Sequence, residues 1–158
     1  MFAGKNERQF VKLSSVQVGV AGEYLVAAEL SRRNYVASLT LRNTRGIDLL
    51  ASSEDGSVTA SIQVKTNQND RRQWPLSKKN EDDSVKNVYY VFVRLNGLNT
   101  PHFHIAPGDR VAEAISIAHQ EWLATPAKNG QPHKDNAMRN FKDSNDQYLD
   151  RWDLLGLG

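Results

Sequence analysis

The chain contains no cysteine. Disulfides, zinc–thiolate centres and thiol nucleophiles are therefore excluded, and the redox compartment is left open, compatible with a cytoplasmic location. No apolar run approaches the roughly 20 residues that cross a bilayer, so no membrane association is expected. Met1 to Lys12 mixes charge with isolated apolar residues and has no apolar h-region, so no signal peptide is expected. Neither charge sign dominates: 20 Lys and Arg face 18 Asp and Glu, a net charge of +2. That balance permits a polyanionic partner without requiring one. There is no glycine-rich phosphate loop, and no Ser-His-Asp arrangement can be argued from spacing. Internal repeats and a convincing domain boundary are also missing. With 158 residues, 39% of them hydrophobic, the chain suits one domain with a sizeable core. Residues 1–13 read as a loose N-terminal arm and 124–158 as a C-terminal extension.

What is present centres on Gly46 to Lys65. Two β-rich runs, Ile47 to Ser52 and Val58 to Lys65, flank Asp55-Gly56, a strong hairpin signal. Residues two apart in a strand share a face, so Gln63 and Lys65 point one way and Ile62 and Val64 the other. Pairing around the turn lets Asp48 lie beside Gln63 and Lys65. Burying an acid, an amide and an ammonium together costs free energy unless they pair or bind an ion. The bland reading of the same residues is a cross-strand Asp48–Lys65 ion pair with Gln63 bonded to backbone.

Around this stretch the pattern alternates helix and strand. Ser14 with Gln17 forms a capping-box signature, and helical spacing continues to about Arg33. Gly19 and Gly22 weaken that helix and allow close backbone approach. Glu23 falls on its apolar side, whereas Glu29 is set to pair with Arg32 and Arg33. Tyr35 to Leu41, Asn87 to Leu95 and His102 to Ala106 read as strands, and Arg42 to Arg45 as a polar turn. Residues 67–86 read as a long polar connection carrying Arg71, Arg72, Trp74, Lys78 and Lys79. Pro107-Gly108-Asp109 opens a second helix to about Leu123, with Val111, Ile115, Ala118 and Trp122 as its apolar stripe. The segment from Thr125 reads as an extended loop or a short helix near Ala137 to Phe141. A last amphipathic turn, Tyr148 to Leu155, is expected to dock through Trp152 and Leu155. His102 and His104 share a strand face at a spacing that suits a metal, but spacing identifies no third ligand. His119 lies beside the apolar stripe and His133 in a loop.

The order of a helix bearing Gly22-Glu23, a strand with Gly46-Ile47-Asp48, a hairpin and a strand with Gln63-Val64-Lys65 resembles the PD-(D/E)xK nuclease superfamily. The likeness covers roughly Gly19 to Ala106. The wording GEYLVAAELSRRNY, RNTRGIDLLA and IQVKT is similar to the Holliday-junction-resolvase branch and related small prokaryotic endonucleases. The proline of the family name is absent before Asp48, as in many members. Gln63 replaces the second acid, a Gln-x-Lys form that occurs in the Mrr-like restriction branch, and removes one negative charge.

The resemblance implies an α/β, restriction-endonuclease-like core: a mixed β-sheet of about five strands flanked by helices. It implies a metal-dependent endodeoxyribonuclease hydrolysing DNA phosphodiester bonds with Mg²⁺ or Mn²⁺. Glu23, Asp48 and Gln63 would hold the metal, and Lys65 would position the attacking water or stabilise charge. Arg71, Arg72, Lys78 and Lys79 would contact phosphates, and Trp74 would stack on a base. A homodimer follows by analogy. The alternative is a catalytically weak nuclease-fold module that binds nucleic acid or a protein partner in a defence or repair assembly.

Overall fold

The computed structural model describes residues 11–41, 46–82 and 86–158. Most of the expected N-terminal arm and the Arg42 to Arg45 turn lie outside the described residues. Helix α1 spans Ser15–Arg32 and α2 spans Gly108–Ala124. Seven strands are described: β1 (Val36–Leu39), β2 (Leu49–Ser52), β3 (Thr59–Asn67), β4 (Gln73–Ser77), β5 (Val88–Arg94), β6 (His102–Pro107) and β7 (Met138–Lys142). The fold is α/β, with a mixed five-stranded sheet in the order β1-β2-β3-β5-β6 and two flanking helices. Among the described strands only β3 and β5 run parallel. A second sheet pairs β4 with β7.

Local chemistry explains the boundaries. Ser14 caps α1, its hydroxyl accepting the Gln17 N–H at 3.2 Å. The helix stops at Asn34, which turns into the left-handed region at φ 64°. Such a conformation suits Asn better than most residues. Glu29 pairs with Arg32 at 2.8 Å and also with Arg33. Burial pushes its carboxyl pKa up, but the two guanidiniums outweigh this and hold it below the ordinary value. In the β2–β3 hairpin, Asp55 accepts from the Ser57 N–H and from the Ser57 and Ser53 hydroxyls. These donors, the Ser57 amide foremost, pull its pKa down to about 2. Gly56 follows at φ +73°, where a side chain would be strained.

The sheet has a core on each face. Alternation along β3 and β5 sends Ile62, Val64, Val91 and Val93 toward α1, where they meet Val26 and Leu30. Tyr90 and Phe92 face the other way, toward α2, and pack with Trp74, Val111, Ile115 and Phe141. Gly22 is where α1 touches the sheet: a Cβ there would sit 1.8 Å from Thr66 Oγ1. Gly19, one turn earlier, has open space beside it.

Two sequence expectations are corrected. Residues 67–86 are not a structureless connection, because they contain β4. Pro75 disguises that strand, since proline lacks a ladder donor. It is tolerated because, among the described residues, β4 has a partner strand on one side only, pairing Pro75 with Asn140. The segment near Ala137 to Phe141 is correspondingly a strand, not a helix. The C-terminal extension is also part of the cores. Phe141 packs in the α2-side core, and Trp152, Leu155 and Leu157 close the α1-side core. The expected docking of Trp152 and Leu155 is observed, in a 3₁₀ turn over Trp152–Leu155. Among the described residues no helix is long and apolar enough to cross a membrane.

Candidate functional site

The antiparallel register of β2 and β3 ends at Leu49 opposite Ile62. Asp48 lies just before that point. Its N–H still donates to the Ile62 carbonyl at 2.8 Å, and its Oδ2 accepts the Val64 N–H at 2.7 Å. The carboxylate thus satisfies a strand donor where β2 leaves the ladder. No hydrogen bond engages Oδ1 among the described residues. Thr40 supports the same corner, its N–H donating to the Asp48 carbonyl at 3.0 Å and its hydroxyl to the Ile47 carbonyl at 2.6 Å.

Beyond this corner lies a shallow cavity of about 270 Å³ whose walls include Glu23, Asp48, Thr40 and Gly19. Glu23 reaches it from the apolar side of α1, as its helical register anticipated. Gly19, lacking a side chain, leaves the cavity open. Two carboxylates from elements 25 residues apart in sequence therefore share one wall.

Gln63 and Lys65 sit beside this cavity and do not line it. By alternation they lie on the face of β3 opposite Ile62 and Val64, in register with Tyr90 and Phe92 of β5. The Gln63 amide reaches over Gly46, 3.6 Å from where a Cβ would stand. Lys65 is half-buried, and the cross-strand Asp48–Lys65 ion pair of the bland reading is absent from the described residues. The predicted quartet is thus divided: Glu23 and Asp48 together in the cavity, Gln63 and Lys65 on the adjoining sheet face.

The expected nucleic-acid contacts fare unevenly. Trp74 cannot stack on a base: it is 0% exposed, donates its indole N–H to the Val93 carbonyl at 3.0 Å, and packs against Phe92 at 5.0 Å. Its burial follows from β4, which the sequence pattern hid. Arg72 is bound bidentately to Asp146 at 2.6 and 2.8 Å, which raises its pKa and takes it away from phosphate. Arg71, Lys78 and Lys79 are exposed.

A buried polar cluster escaped the sequence reading apart from His104. That imidazole is fully buried, with Nδ1 2.6 Å from Asp143 Oδ2 and Nε2 accepting from Arg94 Nε at 3.1 Å. Arginine can only donate, so Nε2 is the unprotonated nitrogen and Nδ1 carries the proton. Burial pushes the imidazole pKa below its usual value, against the opposing pull of Asp143. His104, Asp143 and Asp146 offer ligand atoms within 4.8 Å of one another. Guanidiniums already fill this cluster: Arg94 also pairs with Asp70 at 2.7 Å, and Arg72 holds Asp146. Its members join β5, β6 and the C-terminal segment, a structural task. His102 is not part of it. The missing signal was long-range, since Asp143 lies 39 residues from His104.

The chain matches no protein-family model, no curated protein and no solved structure at a significant level.

Proposed function

We propose that this protein is a metal-dependent nuclease of the PD-(D/E)xK type that hydrolyses DNA phosphodiester bonds. The observation that carries the reading is the meeting of Glu23 and Asp48 on one cavity at the open end of the β2–β3 ladder. The donor chemistry there suits Mg²⁺ or Mn²⁺: two hard carboxylates, a nearby amide from Gln63, and room for the waters that Mg²⁺ retains. Glu23 and Asp48 would hold the ion, with Gln63 as a neutral oxygen donor. When bound, it would polarise a phosphodiester and make an attacking water more acidic.

The chain's own groups do the rest. The Val64 amide fixes Asp48 through Oδ2, holding the carboxylate at the cavity wall. Gly19 keeps the approach open for a bulky backbone phosphate. Lys65, on the adjoining face, would supply a cation to the charge that builds on phosphate in the transition state. Exposed Arg71, Lys78 and Lys79 would add sequence-independent, salt-sensitive affinity. A homodimer would let two such sites address two strands.

One observation favours the alternative of a binding module with little activity: Lys65 and Gln63 stand outside the cavity walls. An assay on plasmid, linear duplex and branched DNA separates the two. The nuclease reading expects cleavage that needs Mg²⁺ or Mn²⁺, stops with chelator, and is lost in Lys65→Ala and Glu23→Gln. Binding without cleavage on every substrate would establish the module and reject the nuclease.

A further inference from the structure

A second recess of about 250 Å³ lies on the α2 side of the molecule, between the C-terminal half of α2 and β7. The apolar stripe of α2 is buried where it begins, at Val111 and Ile115, and comes to the surface where it ends. Trp122 is 38% exposed there, and Met138 on the facing strand is 66% exposed. Trp122 carries two imidazoles nearly parallel to its ring: His133 at 4.0 Å and 21°, and His119 at 5.4 Å and 28°. A row of stacked rings therefore stands at the rim of a half-apolar recess.

The polar groups around it share one character. Asn136 spends its carbonyl oxygen on the Met138 N–H, and Asn140 spends its own on the Gln73 amide. Both residues line the recess. The neighbouring carboxylates are engaged: Asp135 by His119 at 2.8 Å and Glu81 by Arg139 at 2.5 Å. Lys142 lines the recess and makes no ion pair among the described residues. Exposed Lys78 does not line the recess, but its backbone N–H donates to the Ala137 carbonyl at 2.9 Å and its charge acts on Asp135. The recess thus offers aromatic rings, two side-chain amides and the Lys142 ammonium, and no carboxylate is among its lining residues.

We propose that this α2–β7 recess binds single-stranded DNA, seating a base against the Trp122 ring row while Lys142 and Lys78 take the flanking phosphates. Flat, acceptor-rich and anionic is the description of a nucleotide unit. An open recess lined by a lysine that makes no ion pair among the described residues suits a strand passing through it. Base–aromatic stacking tolerates any sequence, so binding is sequence-independent and salt-sensitive. The inference deepens the nuclease reading by giving it a substrate with an unpaired strand, but the recess is separate from the Glu23–Asp48 cavity and can be tested without catalysis.

The test measures fluorescence anisotropy of a labelled oligothymidylate with Asp48→Asn protein, which cannot degrade the probe on the nuclease reading. Trp122→Ala and Lys142→Glu are then added to that background. Trp122→Ala is expected to weaken binding about tenfold. Lys142→Glu is expected to weaken it and to lower the slope of log affinity against log salt by about one or more. A hairpin duplex of equal charge should bind more weakly than the single strand. Unchanged affinity in both variants, no binding of the oligothymidylate, or equal affinity for the duplex would overturn the proposal. Cleavage by the wild-type chain with an inert recess would reject the recess alone. A recess that binds in a chain that never cleaves would reject the nuclease alone.

Discussion

Asp48 is asked to do two jobs, and substitution can separate them. Its Oδ2 accepts the Val64 N–H at 2.7 Å in a half-buried corner. Asp48→Ala leaves that amide without a partner, which costs about 1–3 kcal/mol. At roughly 3 °C per kcal/mol for a domain of this size, the thermal midpoint should fall by about 3–9 °C. Asp48→Asn is different. Its amide oxygen can accept the same N–H, so only the charge-assisted part of the bond is lost, about 1 kcal/mol. What Asn cannot supply is the negative charge on the cavity shared with Glu23. The nuclease reading therefore expects Asp48→Asn to melt within about 3 °C of wild type yet show no divalent-dependent cleavage above background. Thermal denaturation and a plasmid-nicking assay on one preparation give both numbers. An Asp48→Asn protein that cuts DNA at the wild-type rate would refute the catalytic role and leave Asp48 as a strand cap.

Other consequences follow from neighbouring geometry. Gly22→Ala puts a Cβ 1.8 Å from the buried Thr66 hydroxyl, so overpacking should outweigh the helix-propensity gain and cost about 2 kcal/mol net. Gly19→Ala meets nothing and should stabilise by about 0.5–1 kcal/mol; urea midpoints of the two variants should move in opposite directions. Gln63→Glu restores the missing negative charge and should preserve or raise cleavage, and total loss of activity would show that the amide is needed as an amide. His104 resists protonation in the folded chain, so its contribution is complete above the unfolded pKa of about 6.5 and is lost as pH falls from there toward the lowered folded value. Denaturant midpoints across that window should decline in wild type, and His104→Gln should flatten the decline while lowering stability throughout.

How far the sequence could carry this picture depended on distance along the chain. Ser14 and Asn34 bounded α1, and Asp55-Gly56 marked the β2–β3 hairpin, because caps and turns are written within a few residues of where they act. Strand alternation correctly separated Gln63 and Lys65 from Ile62 and Val64. The placing of Glu23 on the inner side of α1 came from helical spacing alone, and the cavity it shares with Asp48 agrees with it. Where partners are remote, the pattern was silent. Whether Trp74 was tucked against the sheet or exposed could not be read, because β7, which covers it through Phe141, lies more than 60 residues away and its partner strand contains Pro75. Arg72 looked like a phosphate contact because nothing local announced Asp146. His104 suggested a metal for the same reason: the Arg94 and Asp143 side chains that satisfy it come from another strand and from the C-terminal segment.

Direct measurement of Mn²⁺ binding addresses the central claim, that Glu23 and Asp48 form a divalent-cation site. Titration followed by electron paramagnetic resonance should show a bound ion in wild type, and Glu23→Gln and Asp48→Asn should each weaken it at least tenfold. Asp143→Asn should leave it unchanged. Equal binding in all the carboxylate variants, or loss confined to Asp143→Asn, would contradict the account and move the metal to the cluster beneath β6.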